Sequence, residues 1–254
     1  MSETTMAEDE IVVGRLTDEE LAVLAGTDGM SVFPVLGAMS REHREVATVT
    51  AYRSLVARGL VEAPTPEEEA EAVRRARSEG PEHVEVPVRV AESLAHVLTL
   101  RAGAQLAVAV SRMTAVGEDY RYAYVVEDLV VEEHVTATGL HTFALSARAG
   151  LAALLAGWAV HPEASDGTGE AVELPAGEDP TPPEHLLDRL GAALVRADVI
   201  VRRPADDRPA LVGVFSGPGG TWLSEARRGS GEPVALTPVP VSRVRAVLAE
   251  TVAR

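Results

Sequence analysis

Apolar positions along the chain follow two periods, and the change comes near residue 83. Before it, spacings of three and four predict helices. Thr17-Asp18-Glu19-Glu20 is a capping box with acids at the positive end of a helix dipole, so a helix opens at Thr17 and carries Leu21, Val23 and Leu24 to a stop at Gly26. A loop holding Phe33 and Pro34 leads to a second helix, from about Ser40 to Arg58, with Gly59 at its C-terminal cap. There Val46, Val49, Tyr52, Leu55 and Val56 recur at helical steps and predict one buried face. Thr65-Pro66-Glu67-Glu68 opens a third helix with Pro at its first position, ending before Gly80-Pro81.

Beyond residue 83 the period is two. Val84, Val86, Val88 and Val90 alternate with His83, Glu85, Pro87 and Arg89, a strand that Pro87 confines to an edge because it cannot donate to a ladder. A helix over 92–101 precedes strand-like runs at 105–113, 120–127, 129–136 and 140–146, and a helix over about 147–158 follows. Residues 163–182 carry six acids among Gly, Pro, Thr and Ser and predict an acidic flexible loop. A helix from Pro183 to about Ala197 comes next. Strands at 199–203, 210–216, 221–226 and 234–237 and a helix over about 241–253 complete the chain. The order helix, four strands, helix therefore occurs twice, over 91–158 and 183–253. Phe143-Ala144-Leu145-Ser146 before one closing helix echoes Val234-Ala235-Leu236-Thr237 before the other. The predicted fold class is α+β: an antiparallel β-sheet with helical bundles and a pseudo-twofold helix–four-strand–helix repeat. Residues 1–10 form a disordered acidic tail; one half spans about 11–160 and the other about 183–254.

The 254 residues are 46% hydrophobic and only 4% aromatic, so the core is built from Ala, Val and Leu. There is no cysteine, which excludes disulfides, thiolate metal sites and a Cys nucleophile. No apolar run reaches the roughly 18 residues of a membrane span, and the acidic start does not resemble a signal peptide, so a cytoplasmic protein is expected. The formal charge is −16, every Lys/Arg position is Arg, and Asn is absent. The missing Lys and Asn point to a GC-rich, actinobacterium-like source. The acidity opposes binding to nucleic acid and to anionic membranes, both of which need surface cations.

The candidate chemistry is sparse. Glu132 and His134 share a strand face, with Glu133 and His141 near; this reads as a metal pair or as the solvated face of a half-buried strand. The run Gly213 to Gly220 lacks the Gly-Lys-Ser/Thr ending of a phosphate loop and the spacing of a nucleophile elbow, and it lies between two strands, so it reads as a hairpin turn. No Ser/His/Asp order stands out; no catalytic residue, metal or cofactor is assigned. Residues 17–62 admit a winged-helix DNA-binding regulator as an alternative. Residues 1–62, however, hold eleven acids against five arginines, a net of −6. Tyr120, Tyr122 and Tyr124 point to one strand face, either as a partner surface or as a face covered within the molecule.

The order and spacing of several short motifs resemble the EspG family associated with ESX (type VII) secretion. They are Leu16-Thr17-Asp18-Glu19-Glu20-Leu21 with Phe33-Pro34-Val35-Leu36, then Leu55-Val56-Ala57-Arg58-Gly59-Leu60, then Gly139-Leu140-His141-Thr142-Phe143-Ala144-Leu145, and finally Thr221-Trp222-Leu223 with Leu236-Thr237-Pro238. The likeness runs from about residue 11 to the end as one EspG-like domain; the acidic stretch at 163–182 and the short first helix depart from it. The resemblance implies a non-enzymatic cytosolic chaperone that binds the apolar tip of a helical secretion substrate, a PE/PPE pair or another ESX-type protein. It also implies a central antiparallel sheet with quasi-twofold symmetry and binding through a sheet loop and the C-terminal helices. The segment Thr114 to Asp119 is where that loop is expected, so Met113 and Val116 join Tyr120, Tyr122 and Tyr124 as expected partner-binding residues.

Overall fold

A computed structural model describes residues 11–79, 89–174, 190–204, 206, 208–227 and 234–253. The expected tail at 1–10, most of the strand expected over 84–90 and the helix expected from Pro183 lie wholly or largely outside these residues. The chain runs β1 (Ile11–Thr17), α1 (Asp18–Ala25), α2 (Pro34–Ala38), α3 (Arg41–Ala57), β2 (Val61–Glu62), α4 (Pro66–Glu79), β3 (Arg89–Val90) and α5 (Glu92–Ala102). It continues with β4 (Leu106–Thr114), β5 (Gly117–Val126), β6 (Leu129–Val135), β7 (Leu140–Ala147) and α6 (Leu151–Ala159). The remainder is β8 (Val172–Leu174), β9 (Val195–Arg202), β10 (Ala210–Gly217), β11 (Gly220–Arg227), β12 (Val234–Pro238) and α7 (Val241–Ala253).

Ten strands form one antiparallel sheet in the order β1-β7-β6-β5-β4-β9-β10-β11-β12-β8. β4 and β9 pair at its centre, and each leads a four-strand meander outward. Each meander ends in a helix, α6 or α7, and the two helices pack on each other and on the same sheet face. The pseudo-twofold repeat is thus built around the β4–β9 pair, with α+β content and antiparallel pairing as expected from the sequence. Each outer edge also receives one further strand from chain that precedes its meander: β1 on β7 and β8 on β12.

The face under α6 and α7 is a Val, Leu and Ala core that includes Val108, Val110, Val125, Val199, Val214, Leu155 and Leu248. The opposite face of the first half carries Tyr122, Tyr124, Val131, Val135 and Phe143, covered by Leu21 of α1, Leu55 of α3 and Leu94 and Val97 of α5. Thr17 caps α1 through the expected box, its Oγ1 accepting from the Glu20 N–H while Glu20 accepts from the Thr17 N–H. Thr65 and Glu68 repeat the device at α4.

Three expectations are corrected. The stripe on α3 is buried only in its second half: Ala51 and Leu55 are buried, Tyr52 and Val56 half-buried, and Val46 and Val49 exposed, since it is Leu55, with Tyr52 and Val56, that packs into the cluster holding Leu21 of α1. The stretch 163–182 is not a free loop over its described part. Val172–Leu174 pairs with β12, the Gly167 N–H donates to the Val239 carbonyl, and Thr221 donates its hydroxyl to the Ser165 carbonyl. Finally, β9 begins at Val195, inside the residues expected to be helical, since Val195, Ala197, Val199 and Val201 alternate into the core.

Candidate partner-binding surface

The strand register brings several connections to one end of the sheet: the β4–β5 turn, the β6–β7 turn, the β10–β11 turn and the start of β9. Thr114 pairs with both Gly117 and Val195, so Ala115 and Val116 form a two-residue turn at the centre of this end. The Thr114 hydroxyl accepts from the Val116 N–H and donates to the Gly117 carbonyl, and Gly117 takes a φ of 127° that few other residues tolerate. Held this way, Val116 is 99% exposed and Met113 is 50% exposed. Leu194, next to the start of β9, and Leu140, at the start of β7, are also exposed at this end. Large apolar side chains at the tip of a braced hairpin are a recognisable protein-contact signature.

A second open apolar surface lies along the exposed half of α3. Met39, Val46, Ala47 and Ala51 line a groove of about 570 Å³ together with Thr17 and Glu19.

The tyrosine row does not contribute a surface of the expected kind. Tyr122 is 2% exposed and Tyr124 5%, whereas Tyr120 is half-buried. Their rings lie beneath α5 and the α1–α2 connection, and Tyr122 stacks on Tyr124 at 6.1 Å. The Tyr122 hydroxyl accepts from the Val32 N–H at 2.9 Å, and the Tyr124 hydroxyl shares a 2.7 Å hydrogen bond with Ser31. Burial pushes both phenols well above the ordinary value. These two side chains anchor the connection between α1 and α2 and are withdrawn as contact residues.

Beneath the same connection lies a buried polar network. His141 is 0% exposed, its Nε2 2.8 Å from Asp18 Oδ1 and its Nδ1 2.6 Å from Glu133 Oε1. The other Glu133 oxygen accepts from Arg101 Nε at 3.0 Å and from the Ser31 hydroxyl at 3.0 Å. The other Asp18 oxygen accepts from the Val35 and Leu36 N–H groups at 2.7 and 2.9 Å. Burial disfavours charge on His141, but the two flanking carboxylates outweigh it and raise its pKa. Burial likewise opposes ionisation of Glu133 and Asp18, yet the His141 and Arg101 contacts on one, and the His141 and backbone contacts on the other, hold both below the usual carboxylate range. Two acids and two bases neutralise each other there. Both imidazole nitrogens are engaged, leaving neither for a substrate proton, so the network acts as a structural clamp.

Of the residues weighed for metal, Glu133 and His141 enter this clamp, Glu132 is buried, and His134 faces the opposite side of the sheet; none lies on a solvated face as a set. Among the described residues no group of three or more His, Cys, Asp or Glu could hold a metal ion. The clamp was partly readable in the sequence: Glu133 alternates with Val131 and Val135, so it points inward and requires a partner. Asp18, Ser31 and Arg101 come from distant segments and left no such signal. The Gly217–Gly220 turn is the tight β10–β11 hairpin expected of it.

No family model and no curated protein matches this sequence. The fold does match a solved structure described as the Mycobacterium tuberculosis type VII secretion system chaperone EspG5 in complex with the PE25-PPE41 dimer. The TM-score is 0.52 at 13% identity, over 96% of this chain and 95% of that one, so the likeness extends across the whole fold and not one half of it.

Proposed function

We propose that this chain is a cytoplasmic, non-enzymatic chaperone of type VII secretion that binds the apolar tip of a helical substrate, a PE/PPE heterodimer or ESX-type protein, and keeps it soluble. The observation that supports this reading most is the end-to-end match to a fold solved with a PE–PPE dimer bound. It is joined by the braced hairpin that presents Met113 and Val116 to solvent. A chaperone for an apolar tip needs such a projecting apolar element on a charged, self-repelling body, and a net charge of −16 supplies the second.

Co-expression with a PE/PPE-type heterodimer, followed by size-exclusion chromatography, should yield a stable complex. Val116→Asp should weaken it by at least about 30-fold, the loss expected of a contact worth roughly 2 kcal/mol. The thermal stability of the free chain should stay nearly constant, since Val116 touches little of its own molecule. A complex insensitive to Val116→Asp and Met113→Asp would move the binding surface elsewhere.

A further inference from the structure

The two faces of the β4–β5 hairpin differ. Met113 shares a face with the tyrosines, because Ser111 pairs with Tyr120 and Met113 with Glu118. The other face carries charge. Arg112 pairs with Asp119, and Arg121 pairs with His134, which pairs with Thr142, which pairs with Arg15. Register therefore lays Arg15, His134 and Arg121 in one row, with Arg112 and Asp119 in the row nearer the hairpin tip. Arg121 Nε lies 3.2 Å from Asp119, His134 Nε2 3.9 Å and Arg112 Nη1 4.0 Å. The Asp119 carboxylate thus faces two guanidinium groups and an imidazole, in a chain where acids outnumber bases 39 to 23.

The arrangement is also incomplete. Among the described residues, Arg112 Nε is the buried side-chain polar atom without a hydrogen-bond partner. A desolvated donor left without a bond is unfavourable, and a second carboxylate beside Asp119 would relieve it by drawing the guanidinium round. Arg121 is held in place by stacking near Trp158 of α6, with its charge 5.8 Å from the ring centre, so it is pre-set for a planar acceptor. Arg112 and Arg121 stay partly open to solvent.

Resting on the chaperone reading, we propose that the partner docked at this hairpin carries carboxylates beside its apolar tip, and that Arg112 and Arg121 receive them. Val116 and Met113 then take the apolar tip, while the arginines fix which way round the partner sits. Elsewhere the acidic body repels the same carboxylates, so the cationic face confers orientation as well as attraction.

Two synthetic helical-hairpin peptides test this. Both carry a Leu-Phe tip; Glu flanks it in one and Lys in the other. The wild-type chain should bind the Glu peptide at least about tenfold more tightly. The preference should shrink below about twofold in the Arg112→Gln/Arg121→Gln double variant and fall with rising salt. The Arg112 Nε–H resonance of the wild-type chain should shift on adding the Glu peptide, a readout that stands even if the double variant folds poorly. Equal binding of the two peptides, or an unmoved Nε–H resonance, overturns the inference and leaves the apolar-tip reading in place. Binding of neither peptide overturns both.

Discussion

His141 shows what a single buried residue demands of its neighbours. An imidazolium without solvent contact is unfavourable unless its charge is matched, and here Asp18 and Glu133 match it from two sides while Arg101 balances the second carboxylate. The pKa directions define a pH window. His141 is raised, so its contribution is complete below its unfolded value of about 6.5 and is lost as pH rises through the folded value. Asp18 and Glu133 are lowered, so theirs is complete above about pH 4.5 and is lost as pH falls through their folded values. His134 works the other way, since burial and then Arg121 lower its pKa. Urea midpoints measured in a His134→Gln background should therefore be highest between about pH 4.5 and 6.5 and decline above it. A midpoint that stays level from pH 6 to 9 would mean that His141 is neutral in the folded chain.

At the scale of elements, what was legible divides by how local the cause is. The capping boxes at Thr17 and Thr65, the stop at Gly59 and the β4–β7 and β10–β12 strands follow from neighbouring residues, and they stand within a few positions of their expected bounds. The edge strands β1 and β8 were not legible. Both are joined to partners far along the chain; β1 carries a register shift between Val12 and Gly14, and β8 has only three residues in an acidic stretch that by composition reads as a linker. The Tyr row was placed correctly on one strand face, but which layer covers that face is decided by α1, α5 and the connection between α1 and α2, and no local pattern encodes it. Gly167 shows how firmly the acidic segment is docked. A Cβ there would stand 2.0 Å from the Thr221 carbonyl oxygen and 2.8 Å from the Val239 nitrogen, both backbone atoms that cannot step aside. Gly167→Ala should therefore destabilise folding by about 1–3 kcal/mol, the usual cost of overpacking, although Gly167 lies in a sequence that looks like a spacer. A thermal melt unchanged by this substitution would show that the segment detaches freely.

For the whole molecule, the distribution of charge separates a protein-binding platform from a nucleic-acid reader. The helical N-terminal region places α1, α2 and α3 ahead of the short β2–β3 ribbon, an order compatible with a winged helix. Three of the four arginines in 17–62 are nevertheless committed within the chain. Arg58 donates to Glu20 and to the Arg15 carbonyl, Arg41 pairs with Glu45, and Arg44 donates to the Met39 carbonyl. The exposed half of α3 offers Val46 and Val49 just after Glu42 and Glu45, where a DNA reader would place free cations against phosphates. The cations left open at the β4–β5 hairpin are too few for a duplex, since a reader neutralises several phosphates at once. The body around them is acidic, so any polyanion approaching along its length meets net repulsion. Gel shifts with genomic fragments in about 50 mM salt, where phosphate contacts bind most strongly, should therefore leave the DNA unretarded at micromolar protein. Sequence-specific retention at sub-micromolar protein would mean that α3 releases its arginines to phosphate, and the exposed valines would then have to be re-read as part of a DNA-contacting helix.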